Sequence, residues 1–428
     1  MADRGYIGEQ HPQLSALDRC TRCGLCEQAC PTYRLEHYEP DSPRGRIFLM
    51  KEVAEGRAAV DANLAEHLYR CLGCRACETA CPSSVPFGEL LEDGRYQVEL
   101  HGELDPKRWG WRTFRHLAFE TVLPSRTLFT IAMLPAQIVQ QLPPLRALRF
   151  LFPRRSLLRK ALSMIPPAST AGGVVKAGTV IEAEGTRRAR VGLFTGCVMD
   201  ALFPGVHAAT ARVLARNGCD VVVPSGQWCC GALNVHAGER RHATEMARVN
   251  LAAFADPTLD AIVVNSAGCG AMLKGYASLL DGDAQAQRFA ERVKDASEFL
   301  FELGLRQGLG PLHERATYQD ACHLAHGQGI RQAPRALLVQ IPGLKFVELP
   351  NADRCCGAAG VYNLTQPDRS AAILEEKVRD IEATGAQSVV TTNPGCAMQL
   401  QAGLAERRSQ TRVCHLMEML DRSYRSGP

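Results

Sequence analysis

Cys20-Thr-Arg-Cys23-Gly-Leu-Cys26-Glu-Gln-Ala-Cys30-Pro31 and Cys71-Leu-Gly-Cys74-Arg-Ala-Cys77-Glu-Thr-Ala-Cys81-Pro82 decide how this chain is built. Each run reads C-x2-C-x2-C-x3-C-P. Three thiolates at intervals of three wrap one face of an Fe4S4 cube, while the fourth, before a helix-breaking proline, points away to the other cube. The spacing therefore assigns Cys20, Cys23, Cys26 and Cys81 to one [4Fe-4S] cluster, and Cys71, Cys74, Cys77 and Cys30 to a second. Zinc and disulfides are the alternatives. Zinc sites need four sulfurs, usually as two C-x2-C pairs, and leave a doubled four-cysteine run ending in proline without a reason.

The spacing is that of bacterial two-cluster ferredoxins, and residues 1–100 read as a helical module of that kind. The whole chain, 428 residues with 46% hydrophobic and 22% charged side chains, has room for two or three folded domains. Its 18 cysteines do not follow a signal peptide, since Met1-Ala-Asp-Arg-Gly-Tyr-Ile-Gly-Glu-Gln lacks an apolar core. The expected setting is the reducing cytoplasm, with cysteine reserved for metal. No uninterrupted apolar run is long enough to span a bilayer.

Within the module, Asp41-Ser-Pro-Arg-Gly-Arg46 reads as a turn-rich loop whose arginines are solvated rather than turned to cluster sulfides. Phe48–Val60 and His67–Tyr69 look helical. Residues 101–190 form a basic, apolar helical connector. Residues 106–165 hold eleven Lys or Arg and a single acid, Glu120, giving +10 against −6 for the remainder. The basic and aromatic residues include Lys107-Arg-Trp-Gly-Trp111, Arg126, Leu145-Arg-Ala-Leu-Arg149 and Phe152-Pro-Arg-Arg155. Thr127 to Leu145 is uncharged but broken by Pro135, Pro143 and Pro144. Short apolar helices flanked by Arg and Trp suit peripheral membrane contact, a partner subunit or packing against the chain's own domains. No nucleic-acid-binding fold accompanies the charge. Ala171–Arg190, rich in Gly, Ala and charge, reads as a linker.

From Val191 the chain repeats itself. Cys197 and Cys322 are 125 residues apart, Cys229 and Cys355 126, and Cys269 and Cys396 127, so residues 191–310 and 311–428 are taken as duplicated domains. Expected strands at Val191–Phe194, Val221–Val223, Ala261–Val264, Phe346–Leu349 and Ser388–Thr391 alternate with expected helices at Ala208–Arg216, Arg241–Phe254 and Ser370–Thr384. That alternation predicts α/β units with parallel sheets. The fold class is thus a helical two-cluster module followed by two α/β cysteine-rich domains. Cys197, Cys269 and Cys396 follow strands, and Cys229, Cys230, Cys355 and Cys356 lie in loops. With Cys322 they should gather at carboxyl ends of strands, where open α/β sheets bind ligands. These eight are candidate ligands of an additional iron–sulfur cluster or other metal. Cys219 and Cys414 read as core residues, and His236, His323 and His326 as hydrogen-bonded structural residues. No dinucleotide fingerprint, nucleophile elbow or acid–base constellation is present, so no catalytic residue is assigned.

The paired cysteine runs, Ser42-Pro-Arg-Gly-Arg-Ile47, Thr195-Gly-Cys-Val, Trp228-Cys-Cys-Gly-Ala232, Ser266-Ala-Gly-Cys-Gly-Ala-Met272 and Asn393-Pro-Gly-Cys-Ala-Met398 resemble the iron–sulfur subunit of bacterial glycolate oxidase. Related subunits serve lactate-utilisation, anaerobic glycerol-3-phosphate dehydrogenase and heterodisulfide reductase systems. The resemblance implies a component of a glycolate dehydrogenase complex. Two FAD-type partner subunits would oxidise glycolate to glyoxylate, with FAD on the partners and electrons passed towards a quinone. The expected location is the cytoplasm, with peripheral contact to the inner membrane through the basic, apolar residues 104–165. A self-contained disulfide, heterodisulfide or quinone reductase is the alternative, as is a lactate or glycerol-3-phosphate dehydrogenase subunit. In heterodisulfide reductase units the last cysteine belongs to a C-x2-C pair, whereas here the partner positions are Met272 and Gln399.

Overall fold

A computed structural model describes residues 5–102 and 113–427, apart from 143, 146–147, 154–155 and 169–171. Lys107–Trp111, Arg146 and Arg154–Arg155 lie outside the described residues.

The N-terminal module is built from helices Pro31–Glu36, Pro43–Ala54, Ala62–Tyr69 and Phe87–His101. Ser42 accepts from Gly45 N at 2.9 Å and Pro43 occupies the first helical position, so the second helix starts five residues before Phe48. It stops at Ala54, ahead of Gly56, and not at Val60. Asp61 then caps the third helix through Leu64 N at 2.8 Å. Met50, Val53, Leu64, Leu68, Leu90, Leu91 and Val98 form the core between them.

The connector carries a π-helical turn His116–Val122 and helices Arg126–Gln141 and Leu157–Met164. No single helix among the described residues is long and apolar enough to cross a membrane. One pair, Thr113–Val122 with Arg126–Gln141, passes by length and composition together but is bent by 117°. The inner face of Arg126–Gln141 is anchored. Phe129 meets Trp228 edge-on at 5.6 Å, and Gln137 and Gln140 donate to Ala201 O and Leu202 O at 3.0 and 2.7 Å. Its outer face exposes Leu128, Ile131, Leu134 and Ile138.

Among the described residues, nine strands make two sheets. The first contains β1 (Thr179–Ile181), β2 (Ala189–Phe194), β3 (Cys219–Val223), β4 (Ala261–Val264) and β5 (Val293–Asp295) in the order β1-β3-β2-β4-β5. Val191 lies between Val221 and Ala261, and all pairings are parallel except β1 with β3. The second contains β6 (Arg315–Tyr318), β7 (Lys345–Phe346), β8 (Ser388–Thr391) and β9 (Arg412–His415), all parallel, in the order β7-β6-β8-β9. Two expectations need correction. The segment read as a linker contains β1, whose Thr-Val-Ile run is β-branched but only three residues long. The strand expected over Phe346–Leu349 pairs only at Lys345 and Phe346, after which Val347 N makes one last bond to Ala316 O at 2.9 Å.

Each sheet ends in a strand that runs directly into a helix with a capping box: Asp295 with Glu298, and His415 with Glu418. These two helices exchange partners between the units. Ala296–Leu303 packs on Gln332–Leu338 of the second unit, and Leu416–Ser426 packs on Pro204–Arg216 of the first. Val191, Val213, Leu300, Tyr318, Leu337 and Leu420 consequently belong to one core.

Candidate iron–sulfur and cysteine-rich sites

The two N-terminal runs adopt matching backbones. Arg22 and Gly24 have positive φ in the first, Gly73 and Arg75 in the second: the residue before and the residue after the second cysteine each time. Left-handed turns at these places curl the loop around its own sulfurs, and Gly73 N points at Cys71 Sγ at 3.3 Å. Cys20, Cys23, Cys26 and Cys81 line one cavity, and Cys30, Cys71, Cys74 and Cys77 line another, with Cys77 also reaching the first. The first cavity is near the surface, its cysteines half-buried or, for Cys23, exposed. The second is interior, with all four buried. Burial pushes the Cys77 thiol well up and raises that of Cys71, where Arg46 and Arg95 oppose it.

The loop between the runs departs from expectation. Arg44 is partly exposed and paired with Glu27 and Glu39 at 2.7 Å, whereas Asp41 and Arg46 are buried and the Arg46 side chain is 0% exposed. The helix Ala62–Tyr69 closes over them: His67 O accepts from Arg46 Nε at 2.7 Å, and His67 Nδ1 lies 2.9 Å from Asp41 Oδ1. A turn-rich composition does not show which helix will cover the turn.

In the α/β units the cysteines do lie beyond the carboxyl ends of the strands. Cys197 follows β2 and Cys269 follows β4; Cys322 follows β6 and Cys396 follows β8. The Cys-Cys-Gly loops follow β3 and β7. Both glycines in these loops, Gly231 and Gly357, have φ of +86°. A Cβ on Gly357 would stand 2.7 Å from Ser370 O, and one on Gly231 3.2 Å from Ala243 Cα. Cys197 and Cys229 approach to 3.3 Å between sulfurs. In each unit one thiol, Cys230 or Cys356, is held well below the ordinary thiol range by hydrogen bonds from its neighbours. Those neighbours, Cys229 and Cys269 or Cys355 and Cys396, are pushed up.

All eight of these cysteines line a single cavity of about 590 Å³. Cys71 lines it too, and Cys74 of the N-terminal module belongs to one buried apolar cluster with Cys355. Local sequence assigns each set of four to its own sheet, but the partner exchange between the units turns both sets towards one space. His236 and His323 stack within it at 5.2 Å and 8°, and His236 Nδ1 lies 3.2 Å from Glu92. Burial takes His323 down to about 3. His326 contacts Thr79 Oγ1 at 2.8 Å and Asp353 O at 3.0 Å. All three histidines thus join segments together, as expected of structural residues. Cys219 is buried within β3, and Cys414 packs against the same core. Gln399 is engaged with Ser370 Oγ at 3.0 Å. Among the described residues no group of three or more His, Cys, Asp or Glu is placed to hold a single metal ion.

Residues 16–85 match the family model of a 4Fe-4S dicluster domain, and residues 191–274 and 316–401 each match that of a cysteine-rich domain. A probable glycolate oxidase iron-sulfur subunit of Bacillus subtilis (strain 168) is 37% identical over 94% of this chain and 92% of its own. The glycolate oxidase iron-sulfur subunit of Escherichia coli (strain K12) is 32% identical over 96% and 94%. The chain belongs to the family of glycolate oxidase iron–sulfur subunits. Lactate utilization protein A of Geobacillus kaustophilus (strain HTA426) is 34% identical over 54% of this chain and 98% of its own.

Membership and the dicluster match give the N-terminal module two [4Fe-4S] clusters and the chain the role of an electron-transfer subunit. The residues fit that cofactor. The inner cavity is lined by four thiols, three from one run and one from the other, and the outer one by Cys20, Cys23, Cys26 and Cys81 with Cys77 at its edge, so each offers the donor set that a cubane requires. When bound, each cubane carries one electron at a time. The chain's part is to fix the thiolates, shield the inner site from water and set the local charge.

Proposed function

We propose that Cys20, Cys23, Cys26 and Cys81 hold the first cluster and Cys71, Cys74, Cys77 and Cys30 the second. In this reading the chain accepts electrons from FAD on two partner subunits that oxidise glycolate to glyoxylate, and passes them towards a quinone. The observation that carries the reading is the pair of adjacent thiol-lined cavities, the inner one abutting the cysteine-rich units where Cys74 and Cys355 share one buried cluster. A wire needs such continuity, because it must join an entry site to an exit site.

The cysteine-rich units extend the wire. Cys197, Cys229, Cys230 and Cys269, and Cys322, Cys355, Cys356 and Cys396, supply thiol sets for further iron–sulfur clusters in the shared cavity. The exposed stripe Leu128, Ile131, Leu134 and Ile138, beside a segment of net charge +10, suits a peripheral seat on the cytoplasmic face of an anionic membrane.

Co-purification with the neighbouring gene products, followed by iron, flavin and substrate assays, tests this. The complex should oxidise glycolate faster than lactate and contain flavin. The chain alone should show an iron–sulfur absorbance without glycolate-dependent dye reduction. Activity from the isolated chain would sink the wire reading, and faster lactate turnover would transfer it to the lactate branch. About eight irons per chain would account for two cubanes alone, while a larger count supports clusters in the cysteine-rich units.

A further inference from the structure

The two cubane sites differ in their charge environment. At the surface site, Arg44 is matched by the carboxylates of Glu27 and Glu39. At the inner site, Arg46 lines the cavity of Cys30, Cys71, Cys74 and Cys77 and is fully buried. Both of its Nη atoms donate to Thr32 Oγ1 at 3.3 Å, and that hydroxyl lies 3.2 Å from Cys30 Sγ. Arg95, also buried, donates to Cys71 O at 2.6 Å and Leu68 O at 2.9 Å. The buried carboxylate beside them is Asp41, 3.4 Å from Arg46, and it is shared with His67 and with Arg70 at 3.1 Å. Buried guanidinium charge therefore exceeds buried carboxylate charge around the inner site.

A cubane bound by four thiolates is an anion, and its one-electron reduction adds a further negative charge. Burial alone opposes that change, because the more highly charged state loses more solvation. A cation sealed in the same low-dielectric space favours it, and acts more strongly there than at the surface. The structural position of Arg46 is better explained by such a task than by folding. A buried ion pair is often replaceable by apolar residues without loss of stability.

We infer that Arg46 sets the potential of the inner cluster: its guanidinium, sealed beside Cys30 and Cys71, holds that cluster above the surface one. Arg46 is a positioning residue for charge, acting through the ligands. The step it biases is the transfer of one electron from the surface cluster, which is oxidised, to the inner cluster, which is reduced. No bond changes and no proton moves. The inference rests on the ligand assignment proposed above.

The test is an anaerobic redox titration of the purified complex followed by electron paramagnetic resonance, with Cys23→Ser marking the surface cluster's signal. Arg46→Gln should move the inner cluster's wave to lower potential and leave the surface wave in place, and Arg46→Lys should recover part of the shift. Asp41→Asn removes the opposing charge and should move the inner wave upward. This variant carries the test alone if Arg46→Gln fails to assemble its cluster. A merely structural role would not give shifts of opposite sign. An inner wave unmoved by these variants, or two waves displaced equally, overturns the inference. Loss of the surface signal in Cys30→Ser would instead sink the ligand assignment, and the inference with it.

Discussion

A left-handed backbone at Gly357 is what lets Cys355 and Cys356 face the same cavity from adjacent positions. Adding a methyl there incurs the left-handed penalty of roughly 1–2 kcal/mol for an L-residue and sets the new Cβ 2.7 Å from Ser370 O. Gly357→Ala should therefore cost about 2 kcal/mol or more, read as a lower midpoint in chemical unfolding; an unchanged midpoint refutes the packing described. Gly231→Ala, whose nearest neighbour is 3.2 Å away, should cost less. At this scale the sequence is informative wherever chemistry is local. Thiol spacing within twelve residues marks each run as a cubane-type motif, and Cys-Cys-Gly shows its turn in its own letters. Arg46 was not legible, because its burial depends on a helix some twenty residues further on, capped by Asp61 and closing over the loop from above.

Among the elements, the central strands β2, β3, β4 and β8 were readable because burial on both faces favours short apolar, β-branched runs, as in β4 and β8, whereas central β6, Arg-Ala-Thr-Tyr, has no Val or Ile and went unread. The edge strands β1, β5, β7 and β9 are two to four residues long, and their hydrophobic signal is correspondingly short. Two helices give tests of their own. On Pro204–Arg216, His207 is fully buried, and burial, aided by the nearby His415, takes it down to about 4 although a hydrogen bond at Thr195 opposes the shift. Its Nδ1 lies 3.1 Å from the Asn265 amide, which donates to the neutral ring. The unfolded histidine, near 6.5, binds more protons between these values, so the contribution is complete above about pH 6.5 and is lost as pH falls towards 4. Between pH 7.5 and 5 that amounts to about 2 kcal/mol. Urea unfolding of His207→Gln should show a pH slope flatter than wild type by this amount, and equal slopes would count against it. On Arg126–Gln141, Ile131→Glu with Ile138→Glu changes only outward positions and should shift stability by about 0.5 kcal/mol or less per site. Sedimentation with vesicles containing anionic lipid should fall to background, and undiminished sedimentation would remove this helix from the contact.

At the scale of the molecule, the duplicated units are not two domains side by side. Each supplies the helix that covers the other: Ala296–Leu303 lies against Gln332–Leu338, and Leu416–Ser426 against Pro204–Arg216. Arg212 grips Asp421 through two contacts of 2.8 Å across the second pair. The N-terminal module is fastened to both units, by Arg34 to Glu376, Arg369 to Glu36, and Arg95 to His236 O at 2.9 Å. A period of about 125 residues revealed the duplication but not the exchange, because the two interleaved helices occupy equivalent places in each repeat and look self-contained in sequence. The exchange also accounts for the single cavity, since it orients the carboxyl ends of both sheets towards one another and towards Cys71 and Cys74. It has a direct consequence for folding. Residues 191–310 expressed alone would leave Ala209 and Val213 without Leu420 and Tyr424, and would leave Phe299 and Leu300 without Leu337 and Leu338. Uncovering several such side chains removes about 1.5–3 kcal/mol each, against a total stability of roughly 5–15 kcal/mol for a domain. The fragment should therefore show no cooperative thermal transition by circular dichroism and should associate on size exclusion. The two halves produced together should co-purify as one species that melts as a unit. A cooperative melt from residues 191–310 alone would show that the shared core is dispensable, and the exchange of helices would then not be what makes the two repeats one folding unit.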